Sequence, residues 1–210
     1  MGFMAGLKWR RLVLKVGSAL IAPEAKGCST RYLLAIAGFI SECRQQGVEV
    51  VLVSSGSVAA GRAAIPFAHH PLPINVKQAM AAVGQTRMMQ SWRNLLDFDC
   101  AQILLTHDDL QHRSRYLNIH NTLRTLLDHG VLPIVNENDT VVTDEIKFGD
   151  NDKLAALTAV LLKVDILIIA TNTNGIYTKS SINTVNPITI ENVTDISLLQ
   201  NEIGETKSSH

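Results

Sequence analysis

Cysteine is scarce in this chain of 210 residues: Cys28, Cys43 and Cys100 are odd in number, widely spaced and free of any Cys-x-x-Cys pair. That pattern argues against a disulfide framework and fits a reducing compartment. No excess charge of one sign is present either, since 19 basic residues balance 19 acidic ones. With no basic run beyond Lys8, Arg10 and Arg11, the long-range field that gathers a protein onto nucleic acid or anionic lipid is missing, and neither is an expected partner. Long apolar runs are lacking too. The longest, Leu154 to Ala170, is broken by Lys163 and Asp165, short of the roughly 20 clean residues of a membrane span. Lys8, Arg10, Arg11 and Lys15 stand where a signal peptide would carry its apolar stretch, and Gly6 spoils a myristoylation match, so a cytoplasmic protein is expected. Gly-x-Gly-x-x-Gly and Gly-x-Ser-x-Gly are absent, which lowers the case for a dinucleotide oxidoreductase or an α/β-hydrolase. The seven histidines form no His-x-x-x-His or His-Glu-x-x-His pattern, and none is assigned to a metal. The sequons at Asn138 and Asn192 are incidental in a cytoplasmic chain.

What is present is a composition suited to a packed core, 46% hydrophobic and 18% charged. No linker or repeat divides it, so residues 1–210 are expected to form a single domain. Leu12-Val13-Leu14 is a buried strand running into the turn Gly17-Ser18. From Ser29 or Thr30, apolar residues recur at three and four as far as Cys43, and Gly47 stops that helix. Strand Val48–Val53 follows, then a helix-like run after Ser54-Ser55-Gly56-Ser57. A long helix from about Ile74 to Leu96, a strand Ala101–Leu105, a helix from about Ser114 to His129 and a strand Val131–Val135 continue the alternation. Asp150 can cap a helix to about Val164, before the strand Ile166–Ala170. Strands alternating with helices imply a parallel sheet covered on both faces, with ligands at the carboxyl ends of its strands.

The loops at those ends carry the candidate chemistry. Gly56 to Arg62 has the two glycines of a phosphate-binding loop, but Arg62 and Ala63 replace its lysine and hydroxyl residue. The N–H groups of Ser55, Gly56 and Ser57 at a helix start favour an anion; the same residues also suit an ordinary small-residue turn. Lys15, which interrupts or ends an apolar strand, suits a phosphate or, equally, a snorkelling strand-edge lysine. Asn136-Glu137-Asn138-Asp139 and Gly149-Asp150-Asn151-Asp152, with the β-like Val141, Val142 and Ile146 between them, suggest a hairpin over the sheet. Their acceptors would hold an ammonium group or a hydrated Mg²⁺, unless they are only a solvated turn and a helix cap.

Taken in order, Leu14-Lys15-Val16-Gly17-Ser18, Val53 to Gly61, Asn136 to Asp139, Ile146 to Asp152 and Thr171-Asn172 resemble the glutamate 5-kinases of the amino-acid kinase family. Lys77-Gln78-Ala79 and Ala81-Ala82-Val83-Gly84-Gln85 add to a resemblance that runs from Leu12 to about Ile190. It implies a three-layer α/β/α sandwich with a mostly parallel central sheet, and ATP-dependent phosphorylation of the L-glutamate side-chain carboxylate on the way to proline. Mg²⁺ would accompany ATP, proline would be a feedback inhibitor, and a homo-oligomer is expected. Carried over by residue, Lys15 stabilises the phosphates beside Gly17, Ser18 and Gly56. Ser55, Asp139 and Asn151 hold glutamate, Asp152 organises the catalytic lysines, and Thr171 and Asn172 meet the nucleotide. Position 172 departs from the more frequent Asp.

The family continues through a Gly-Gly-Met-x-x-Lys segment and often a PUA domain. This sequence ends at Gly204 to His210 without either, so the resemblance implies a shortened nucleotide lobe and reduced phosphoryl transfer. Two other readings stand beside this one. The first is a non-catalytic remnant that binds an amino acid or another chain. The second is a family relative acting on carbamate, acetylglutamate or a nucleoside monophosphate.

Overall fold

A computed structural model describes residues 9–23, 27–69, 71–142 and 151–199, and the chain divides into two compact units, residues 1–170 and 171–210. In the first unit, strands β1 (Arg11–Val16), β2 (Glu49–Ser54), β3 (Cys100–Leu105), β4 (Leu132–Glu137) and β5 (Ile166–Ala170) pair in parallel in the order β3-β4-β2-β1-β5. The helices between them are α1 (Ser18–Ile21), α2 (Thr30–Gln45), α3 (Ser57–Gly61), α4 (Ile74–Leu95), α5 (His107–Gln111), α6 (Arg113–Asp128) and α7 (Asn151–Leu162).

Period-2 alternation sorts each strand between two cores. Leu12, Leu14, Val50, Leu52 and Ile134 meet Leu33 and Ile40 of α2 and Met88 and Trp92 of α4 on one face. Val13, Val51, Val53 and Val135 meet Leu123 of α6 and Leu154 and Leu161 of α7 on the other. The three-layer parallel architecture expected from the strand–helix alternation is thus present in the first unit. The β1-to-β2 and β4-to-β5 connections run in opposite directions across the sheet, so their helices take opposite faces, the arrangement that opens a crevice at the strands' carboxyl ends.

Local signals explain the boundaries. Ser29 caps α2 by accepting the Arg31 N–H at 3.3 Å, and Gly47 takes φ 78° just past its end. Helix α5 was not anticipated, although Thr106-x-x-Asp109 spells the capping box that starts it. Strand β1 runs on to Val16, so Lys15 lies within the ladder, opposite Val53 and Ile169, and is not at a strand edge. Val141 and Val142 carry no strand, so that part of the expected hairpin is not formed; Ile146, Gly149 and Asp150 lie outside the described residues. Helices α3 and α4 touch backbone to backbone. A Cβ on Gly61 would fall 1.8 Å from the Met80 carbonyl oxygen, and one on Gly84 1.7 Å from that of Ser57.

The second unit contains β6 (Ile176–Tyr177) antiparallel to β7 (Thr189–Ile190) and a 3-10 turn at Ile196–Leu199. Among the described residues of the chain, no helix is long and apolar enough to cross a membrane.

Candidate functional site

Alternation along β1 sends Lys15 to the α7 face of the sheet, the side to which Val13 also points. There it is 6% exposed, and its Nζ lies 2.5 Å from Asp152 Oδ1 in the first turn of α7. A buried ammonium is tolerated only when paired, and this partner keeps the cation in place. Asp152 is itself 43% exposed, so the pair opens toward solvent.

The turn after β1 is built to leave room beside that cation. Gly17 donates its N–H to the Ala170 carbonyl at 3.1 Å, and a Cβ at Gly17 would stand 3.8 Å from Lys15 Nζ. The absent side chain is therefore a cradle of the kind an anionic oxygen can enter. Gly56, at φ 94°, presses on the same turn, with a Cβ position 3.3 Å from Ser18 Cα. Ser18 and Gly56 are thus brought together. The Ser55 N–H is bonded to the Val16 carbonyl at 3.1 Å and is spent within the sheet end. The expected three-donor anion nest is therefore corrected to two groups, the Gly56 and Ser57 N–H at the open end of α3.

On the other side of the crevice, Asn151 donates through Nδ2 to the Ser54 carbonyl at 3.1 Å and to Asn136 Oδ1 at 2.8 Å. Asp139 accepts the Ser57 hydroxyl at 2.6 Å through Oδ2, so the β4 loop is tied to the β2 loop by Ser57, with no hydrogen bond to Ser55. Ser57, expected only through its N–H, also acts through its hydroxyl, and Asn136, expected among the loop acceptors, is buried at the end of β4 and bonded within the protein. Thr171 and Asn172 open the second unit, where the Thr173 N–H donates to Thr171 Oγ1 at 3.4 Å.

A cleft of about 430 Å³ lies beyond β3 and β4, lined by Thr106, His107, Asp109, Arg115, Asn138 and Val142. Burial raises the Asp109 carboxyl, but hydrogen bonds from the Thr106 hydroxyl and N–H and the Arg115 guanidinium outweigh it and hold the group below its ordinary value. Burial raises the thiols of Cys43 and Cys100, which leaves both poor nucleophiles at neutral pH.

Chemically, the strand ends thus offer one buried cation beside a glycine cradle, two helix-end N–H donors, and a set of amide and carboxylate acceptors. The sequence profile described as the amino acid kinase family matches residues 10–209. A protein named glutamate 5-kinase from Idiomarina loihiensis is 57% identical over 174 residues, which are 83% of this chain and 47% of that protein. Glutamate 5-kinase 1 from Pseudoalteromonas translucida is 54% identical over 84% of this chain and 48% of its own length. The Salinibacter ruber glutamate 5-kinase is 54% identical over 81% and 46%. The chain spans about half the length of the curated relatives it matches.

Proposed function

The chain belongs to the amino acid kinase family, and from that premise we propose that it serves ATP-dependent phosphorylation of the side-chain carboxylate of L-glutamate, giving L-glutamyl 5-phosphate for proline synthesis. The observation that carries this reading is the buried Lys15, paired with Asp152 and bordered by the Gly17 cradle.

A glutamate side chain, with an ordinary pKa near 4.3, is already a nucleophile at neutral pH and needs no base. Its difficulty is repulsion from the phosphates it must approach. Lys15 offsets that repulsion and stabilises the charge that spreads over the transferring group, where a cation is worth most. One carboxylate oxygen forms the new bond to phosphorus while the bond to the departing diphosphate oxygen breaks, in line. Asp152 keeps the Lys15 amine aimed and takes no proton. Ser55, Asp139 and Asn151 hold glutamate on the acceptor side, and Thr171 and Asn172 are assigned to the nucleotide.

ATP supplies the phosphoryl group, and the room left beside Lys15 by Gly17, with the Gly56 and Ser57 N–H donors, fits its phosphate oxygens. Among the described residues no three His, Cys, Asp or Glu side chains come together. Mg²⁺ accompanying ATP would be carried mainly by the phosphates and water, as this ion ordinarily is. We place the protein in the cytoplasm, as a homo-oligomer with proline competing at the glutamate site.

The test is glutamate-dependent ADP formation beside calorimetric titration with glutamate alone. ADP formation that Lys15→Ala abolishes while glutamate still binds supports the reading. A chain that binds neither glutamate nor proline, or that turns over with carbamate, acetylglutamate or a nucleoside monophosphate as acceptor, overturns it.

A further inference from the structure

The Asp139 carboxylate stands on a turn, and a single side chain holds it. Asp139 directly follows Asn138, whose N–H makes the last bond at the end of β4, to the Leu105 carbonyl at 2.8 Å. From there the chain turns, with the Val141 N–H on the Asn138 carbonyl and the Thr140 hydroxyl on Asn138 Oδ1. Neither bond involves the Asp139 side chain. Among the described residues the Ser57 hydroxyl, 2.6 Å from Oδ2, is its one hydrogen-bond partner, a short contact of the charge-assisted kind. Oδ1 carries no hydrogen bond from a described residue.

Ser57 itself stands on rigid ground. It is buried as the first residue of α3, and its carbonyl packs so closely on α4 that a Cβ on Gly84 would fall 1.7 Å from it. The carboxylate accepts its single O–H. An aspartate on a turn loses side-chain freedom when it first meets a ligand; here that loss has already been taken, because the buried hydroxyl fixes the carboxylate beforehand. Asp139 and Ser57 also line a cavity of about 10 Å³ with Gln85, Glu137 and Asn138, the room of one water molecule. Removing the hydroxyl would enlarge that space by an oxygen atom and admit a water that competes for the carboxylate.

We propose that Ser57 is a positioning residue: through its hydroxyl it fixes the Asp139 carboxylate in the orientation that the acceptor substrate meets. Ser57 thereby serves both sides of the site, since its N–H is one of the two assigned to phosphate. The inference rests on the glutamate reading and on Asp139 as one of the residues that hold that substrate.

The experiment is calorimetric titration of the whole chain with L-glutamate, with Tm measured in parallel. Ser57→Ala weakens binding about tenfold, and Ser57→Thr, which keeps the hydroxyl, stays within about threefold of the unaltered chain. In Asp139→Ala, which binds weakly or not at all, adding Ser57→Ala lowers the affinity less than about twofold further, because the hydroxyl then has nothing to orient. A serine that only stabilises the fold gives a different pattern: Tm falls while affinity does not, or the two losses of affinity add in full. Either result overturns the inference and leaves the glutamate reading standing. Asp139→Ala binding as tightly as the unaltered chain overturns the inference together with the assignment of Asp139. An unaltered chain that binds no glutamate overturns both the inference and the glutamate reading.

Discussion

The two units are held together by different physics. In the first, the largest fully buried side chains include Trp92, Met80, Met88 and a set of leucines and isoleucines, and the sheet separates two apolar cores. In the second, Ser181 is the one buried residue among those described, while Ile176, Ile182, Val185, Ile188 and Ile196 are exposed. Its turn is organised by hydroxyls: Ser181 Oγ accepts the Ile188 N–H at 2.7 Å and lies 2.7 Å from Thr178 Oγ1, and Thr184 Oγ1 donates to the Ser181 carbonyl at 2.7 Å. Apolar burial gives the first unit cooperativity and a fixed floor for Lys15, Ser54 and Asn136. Local hydrogen bonds of about 1 kcal/mol each give the second unit a shape without comparable resistance to opening. The residues proposed to hold glutamate, Ser55, Asp139 and Asn151, belong to the first unit, and Thr171 and Asn172, proposed to meet the nucleotide, open the second.

The sharpest way to separate the two sides is Lys15→Ala. Losing one cation aimed at a transferring phosphoryl group should lower turnover by about 10³-fold or more, with glutamate affinity changed only a few-fold, read by ADP formation and calorimetry. Next in size is Gly84→Ala. Its new methyl would collide with the Ser57 carbonyl, so α3 and α4 must separate at a cost of about 3 kcal/mol. A Tm lowered by roughly 6–12 °C in thermal unfolding of the first unit is expected.

Much of this was legible in the sequence, for a definite reason. Val50 to Val53 is buried on both faces of a parallel sheet and Ile166 to Ala170 is its half-buried edge strand, and both read as continuous apolar segments. Lys15 and Asp152 were each identifiable as candidates, and the resemblance linked their roles, but their pairing needed the fold. The line of hydrogen-bonded amides Gln102, Gln85, Asn136 and Asn151 was not legible. Its members are separated by 17, 51 and 15 residues along the chain, and each alone is an ordinary polar side chain. Strands β6 and β7, of two residues each, are too short for any periodicity to register.

A smaller change tests the second unit alone. Ser181→Ala removes the acceptor for the Ile188 N–H and should cost about 1 kcal/mol. Amide exchange should accelerate at Ile188 and its neighbours while the amides of β1 and β2 keep their protection. Faster exchange throughout β1 and β2 would mean that the two units do not differ as described.

Acidity gives the smallest and most local probe. Asp165 accepts the N–H groups of Arg11 and Arg10 through Oδ2, and those bonds hold its carboxyl below the ordinary value. A lowered folded-state pKa stabilises above the unfolded value, near 3.9, and that stabilisation is lost as pH falls through the folded one. Asp165→Asn should therefore lower Tm slightly at pH 7 and flatten the acid limb of the Tm–pH curve, so that the two proteins converge below about pH 4.

The central claim is that the first unit carries a preformed acceptor site at its strand ends. Its most direct test is titration of the chain with L-glutamate in the absence of nucleotide, beside Asn151→Leu. Saturable binding that Asn151→Leu removes, with helix content and Tm retained, is the predicted result. No binding by the unaltered chain, or binding that survives the loss of the Asn151 amide, would contradict the account.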